Sequence, residues 1–140
     1  MTVAIFSFLG VIIGAILQYF FSRHLDQQRA GRDAGTKAYT GYLRCVSEHA
    51  NPARFLESSD GHELGARTAD AKCRICLYGS SPTVAAFAKF ERLGATMRSA
   101  EQRAAFTYMV AVMRKDSSGT TDVASGDLQV VLLGTDRDAT

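Results

Sequence analysis

Nineteen consecutive residues without a charge, Val3 to Phe21 in "VAIFSFLGVIIGAILQYFF", constrain this chain more than anything after them. As a helix rising about 1.5 Å per residue, such a run spans roughly 28 Å, close to the thickness of a bilayer's hydrocarbon layer. Only Ser7 and Gln18 are polar within it, and both can hydrogen-bond to backbone or to a neighbouring helix. Tyr19, Phe20 and Phe21 stand together at its end, as in an interfacial aromatic belt, and Arg23 and His24 follow.

A cleaved signal peptide carries positive charge ahead of a shorter apolar segment and small residues at its cleavage site. Here no Lys or Arg comes before the run, and "QYFFSR" offers no such site. A helix of a water-exposed globule carries a polar face, and this run has none. The expectation is a single N-terminal transmembrane helix within residues 1–22.

Orientation follows from the cations. None precedes the run, whereas Arg23, Arg29, Arg32 and Lys37 follow it, against Asp26 and Asp33. The positive-inside rule then puts the N-terminus outside and the rest of the chain in the cytoplasm. Residues 23–35 read as a basic juxtamembrane stalk, with Tyr19, Arg23, Arg29 and Arg32 as interface anchors. From residue 116 to the end, five Asp stand against Arg137 alone. A basic collar and a distant acidic tail suit a protein oriented on an anionic lipid surface. A formal net charge of +2 gives no signal for nucleic acid, and no such partner is expected.

Gly10 and Gly14 form a G-x-x-x-G pair, with Ser7 and Gln18 one turn to either side. All four share one helix face, where small residues let two backbones approach closely and Gln18 can hydrogen-bond across. This is the expected helix–helix contact of a homo-oligomer.

The remaining chain reads as an all-α domain over residues 36–134, a bundle of four to five helices, with a flexible tail at 135–140. "TKAYTGYLRCVSEHA" places Tyr39, Tyr42, Leu43, Val46 and Ala50 at helical spacing, and Asn51-Pro52 interrupts it. Asp60 with Glu63 resembles a capping box opening a helix to Tyr78, whose stripe is Leu64, Ala71, Ile75 and Tyr78. Gly79 stops it. Ser81-Pro82 opens the next helix, carrying Val84, Phe87, Phe90, Leu93 and Met97. Ser99 and Gln102 form a second capping box, before Phe106, Met109, Val110 and Met113. "KDSSGTTD" reads as a loop, and "ASGDLQVVLLG" as a short helix with Leu128, Val131 and Leu132 on one face. A strand over "QVVLL" is the alternative.

Few residues here can carry chemistry. Cys45-x-x-x-His49 and Cys73-x-x-Cys76 have ligand-like spacing, and two adjacent helices could close them around zinc. The competing reading makes all three cysteines reduced packing residues. A thioredoxin-like role needs the C-x-x-C at a helix start, and this one lies near a helix end. The set Arg92, Arg98, Arg103 and Lys89 reads as a solvated face. No nucleophile, base and oxyanion-stabilising group assemble, so no catalytic residue and no cofactor are expected.

Through "AKCRICLYGSSPTVAAFAKFERL", "TYMVAVMRKD" and "DLQVVLLG", the chain resembles small bacterial proteins that join one N-terminal membrane helix to a cytoplasmic helical domain. The resemblance implies that topology and assigns no activity. The function expected is that of a membrane-tethered, non-enzymatic interaction or scaffold module, self-associating and holding a protein partner at the bilayer. Two alternatives are a membrane-active effector of the phage holin, exclusion or pore type, and a zinc-stabilised helical domain.

Overall fold

The computed structural model describes residues 2–50, 58–120 and 122–134, with side chains from residue 12 onward apart from residues 58–60. Five helices and no strand occur among them: α1 (Thr2–His49), α2 (Ser58–Tyr78), α3 (Ser81–Arg92), α4 (Ala100–Ser118) and α5 (Ser125–Leu133). The all-α bundle expected from the periodicity is present, and "QVVLL" is helical.

The apolar run, the stalk that continues it and the first bundle helix are one uninterrupted helix of 48 residues. The first proline of the sequence is Pro52, so nothing before it removes a backbone donor. Gly31, Gly35 and Gly41 each cost about 1 kcal/mol relative to alanine, and none is enough to break the ladder.

The C-terminal part of α1 supplies Ala38, Tyr39, Tyr42 and Cys45 to the core, with Leu43 and Val46 half-buried against it. Gly35 lies beside the carbonyl of Tyr78, whereas Glu48 pairs with Arg67, so α2 returns antiparallel to α1. α2 buries Leu64, Ala71 and Ile75. Tyr78, expected on the same stripe, is 52% exposed because the helix ends there and its ring lies over a cleft. α3 and α4 complete the core: Tyr42 meets Phe87 edge-on at 4.9 Å, and Phe90 lies 5.4 Å from Phe106. Met109 and Met113 are buried, and Met97 packs against them from the connecting loop.

Helix ends differ in places from the sequence reading, for local reasons. α2 begins at Ser58, so Asp60 lies in its first turn and not at its cap. Ser80, not Ser81, caps α3; its side chain accepts from the Thr83 N–H, and Pro82 follows inside the first turn. α3 stops at Arg92 because Gly94 and Ala95 adopt left-handed backbone, with φ of 90° and 50°. The Ser99–Gln102 capping box is present. α4 runs on through Ser118, absorbing half of the expected loop, until Gly119 supplies a left-handed cap at φ 77°. In α5, Leu132 and Leu133 pack on the core while Val131 is 82% exposed, so Val131 does not belong to the inner face. The expected tail at 135–140 and the Pro52 interruption lie outside the described residues.

Candidate functional site

From residue 12 to residue 33, α1 touches nothing that covers it, and every residue is exposed. At about 1.5 Å per residue this bare segment is roughly 33 Å long. Its upper part carries a broad apolar face: Ile12, Ile13, Ile16, Leu17, Phe20 and Phe21 are 43–68% exposed. Their i, i+1, i+4, i+5 spacing spreads them over about half of the helix circumference, and Gly14, Ala15, Gln18 and Tyr19 take the other half. Water leaves such a surface at roughly 25 cal/mol per Å² gained, so the segment is built to be covered.

The expected contact residues fall on this segment. Gly14 has no atom within 4 Å of where a side chain would begin, so its face is open to a second helix. Gln18 is exposed beside it. The side chains of Ser7 and the face at Gly10 lie outside the described residues. Tyr19 is 61% exposed and meets Phe20 edge-on at 6.1 Å. With Arg23, Asp26 and Gln27 it lines a shallow hollow of about 470 Å³. Arg23, Arg29 and Arg32 are exposed and form no ion pair among the described residues. His24 and Gln28 bond to one another one turn apart, at 3.1 Å.

Among the described residues no helix is long and apolar enough to cross a membrane. Of the run Val3–Phe21, only residues 12–21 have described side chains.

Where the bare segment enters the bundle, a cleft of about 320 Å³ lies between Gln28, Gly31 and Arg32 of α1 and the α2–α3 junction. At its floor Asp116 of α4 gathers three elements. It accepts hydrogen bonds from the Tyr39 hydroxyl, from the Ser80 backbone N–H at 3.2 Å and from the Thr83 hydroxyl at 3.4 Å. Burial pushes the Asp116 carboxyl up, but the Tyr39 and Ser80 donors outweigh it and hold the group below the usual carboxylate range. Burial, followed by the hydrogen bond to Asp116, pushes the Tyr39 phenol up to about 12. The carboxylate also faces the N-terminus of α3, where negative charge is favoured. These groups bind one another and leave no free nucleophile: the cluster is a clamp that fixes α1 against α3 and α4. Sequence reading missed it because Asp116 falls in "KDSSG", which reads as a loop; the Ser-Ser-Pro helix start opposite it was the available signal.

The zinc-like set is not brought together. Cys45 is buried, Cys73 and Cys76 are exposed on α2, and His49 bonds through Nδ1 to the Cys45 carbonyl oxygen at 3.0 Å. Among the described residues no three His, Cys, Asp or Glu side chains converge on a point where a metal ion fits. Lys89, Arg92 and Arg98 are exposed, and the Arg103 guanidinium donates to the Arg98 carbonyl at 3.3 Å.

Compared with known proteins, the chain matches no family model, no curated protein and no solved structure.

Proposed function

We propose that this chain is a membrane-tethered, non-enzymatic interaction module that crosses the bilayer once through Val3–Phe21 and self-associates within it. The observation that carries the reading is the broad face of exposed large apolar side chains over residues 12–21, on a helix that continues directly into a folded bundle. Lipid covers so broad an apolar face, and the narrower face with Gly14 and Gln18 is left for a second helix. The open face at Gly14, in line with Ser7, Gly10 and Gln18, is where two copies meet. Tyr19 and the unpaired Arg23, Arg29 and Arg32 hold the interface level, with the bundle on the cytoplasmic side of the inner membrane.

Alkaline carbonate extraction of host membranes tests the anchor. The full chain is expected to stay in the pellet and a variant lacking residues 1–22 to move to the supernatant; full extraction of the intact chain overturns the crossing. A C-terminal reporter active only in the cytoplasm checks the orientation. Gly14→Leu is expected to shift cross-linked dimer to monomer in mild detergent, and an unchanged dimer removes the glycine face.

A further inference from the structure

Free cysteine is among the most buried of residue types, and Cys45 follows that rule. Cys73 and Cys76 break it as a pair: both are exposed, both reduced, and neither packs in the core. They stand one turn apart in the regular part of α2, on an outer face that continues into Leu77, itself 74% exposed. Arg74, between them in sequence, is held by Asp70 at 2.8 Å, and Lys72 is held by Glu91 of α3 at 2.8 Å. Both neighbouring cations are thus drawn to other partners, and nothing among the described residues competes for the two sulfurs.

Residues three apart on a helix carry their Cβ atoms about 5–6 Å from each other. Two metal–sulfur bonds of about 2.3 Å laid end to end span about 4.6 Å, within reach of that pair. Residues at this spacing on one helix share a single ion in carboxylate-bridged bundles, so the backbone geometry is compatible with chelation. The pair supplies two ligands and no more, because no third donor converges there among the described residues. A tetrahedral zinc site takes four. An ion that is soft, prefers thiolate and accepts two ligands is monovalent copper.

We propose that Cys73 and Cys76 form a two-coordinate site for copper(I) on the outer face of α2. Binding replaces two S–H bonds by two Cu–S bonds and releases two protons to solvent. The copper stays monovalent throughout, and the site gains one net negative charge.

The experiment is an anaerobic titration of the full chain in detergent micelles with copper(I), supplied against a coloured copper(I) chelator. Thiolate-to-copper absorbance and metal analysis are the readouts. One ion per chain is expected. Cys73→Ser and Cys76→Ser are each expected to weaken binding on the order of 100-fold, the loss of one arm of a chelate. Cys45→Ala is expected to leave it unchanged. Both serine substitutions are on the surface, so equal helical circular dichroism identifies a folded variant. Serine variants that bind as tightly as the parent overturn the site. Half an ion per chain overturns the two-coordinate assignment in favour of four thiolates shared between two copies.

Discussion

Residues 12–33 and residues 35–46 belong to one uninterrupted helix, yet the first stretch is bare on every side and the second delivers Ala38, Tyr39, Tyr42 and Cys45 to a core. Backbone geometry is the same in both. What differs is the distribution of apolar residues around the axis. In the second stretch they recur every three or four positions and form one face, so neighbouring helices bury it. In the upper part of the first, large apolar side chains spread over about half of the circumference, and no other helix packs on them among the described residues. The glycines repeat the contrast. Gly35 is buried, with the Tyr78 carbonyl 3.2 Å from where a side chain would begin, while Gly14 faces open space. Gly35 serves an internal contact, and Gly14 is free for an external one.

The contrast is sharpest between two isoleucines. Ile75 is fully buried and Ile16 is 51% exposed. Ile75→Ala is expected to destabilise the bundle by about 2–5 kcal/mol, the lost transfer energy plus the cavity left behind. Denaturant titration of the full chain in micelles, followed by helical circular dichroism, measures it. A loss below about 1 kcal/mol would mean that the core collapses around the gap and that the two regions differ less than their exposure implies. Next in size is Gly79→Ala. An added Cβ stands 2.5 Å from the Ile75 carbonyl oxygen, the atom that accepts the Gly79 N–H at 2.8 Å. The α2–α3 turn must shift, and overpacking of this kind costs about 1–3 kcal/mol. Gly14→Ala, with nothing within 4 Å, is expected to cost the bundle nothing by the same measurement.

The clamp between the two regions titrates. Tyr39→Phe is expected to cost roughly 1–2 kcal/mol near neutral pH, since it removes a donor to a carboxylate. Asp116 is held below its ordinary value, so its contribution is present above about pH 4 and is lost as pH falls through the lower folded value. Tyr39 is raised to about 12, so its contribution is present below about pH 10, the ordinary tyrosine value, and is lost as pH rises through about 12. The stability gap between parent and Tyr39→Phe should therefore be widest near neutrality and narrow at both extremes. A gap that stays flat across acid and alkali means that Tyr39 acts by packing alone.

What was legible in the sequence follows the same physics. Periodic stripes gave the bundle helices and their large buried residues, because one-sided burial leaves a one-sided pattern, but they missed the small ones, Ala38, Thr83, Ala86, Ala105 and Thr107. The Ser99–Gln102 box was legible because capping is local chemistry. The continuity of α1 was only half legible: its polar stalk carries no breaker, but glycines and mixed charges read as a weak helix. The clamp was not legible at all. Asp116 owes its position to Gly119, whose left-handed backbone lets α4 run one turn further than its polar sequence implies, and to Tyr39, 77 positions earlier. Cys73 and Cys76 were legible as a spacing and not as a site, since only the fold separates them from Cys45 and turns them outward.

A second small effect tests the comparison most directly. Ile16→Ala removes the same atoms as Ile75→Ala, from a side chain that no other part of the described structure touches. Bundle stability is expected to change by less than about 0.5 kcal/mol, as for a surface position. In water that result would be unremarkable, but this position sits on a face with Ile12, Ile13, Leu17 and Phe20, all large and apolar. If lipid covers it, the substitution exchanges one apolar side chain for a smaller one against fluid acyl chains, and neither folding nor membrane retention responds. If instead another part of the chain or a partner groove covers it, the same substitution opens a cavity and costs kilocalories, as in the core. Measuring Ile16→Ala beside Ile75→Ala in one titration therefore reads what surrounds the bare half of α1. Near-equal losses would mean that it is packed like the bundle, and a large difference is what a lipid-covered helix requires.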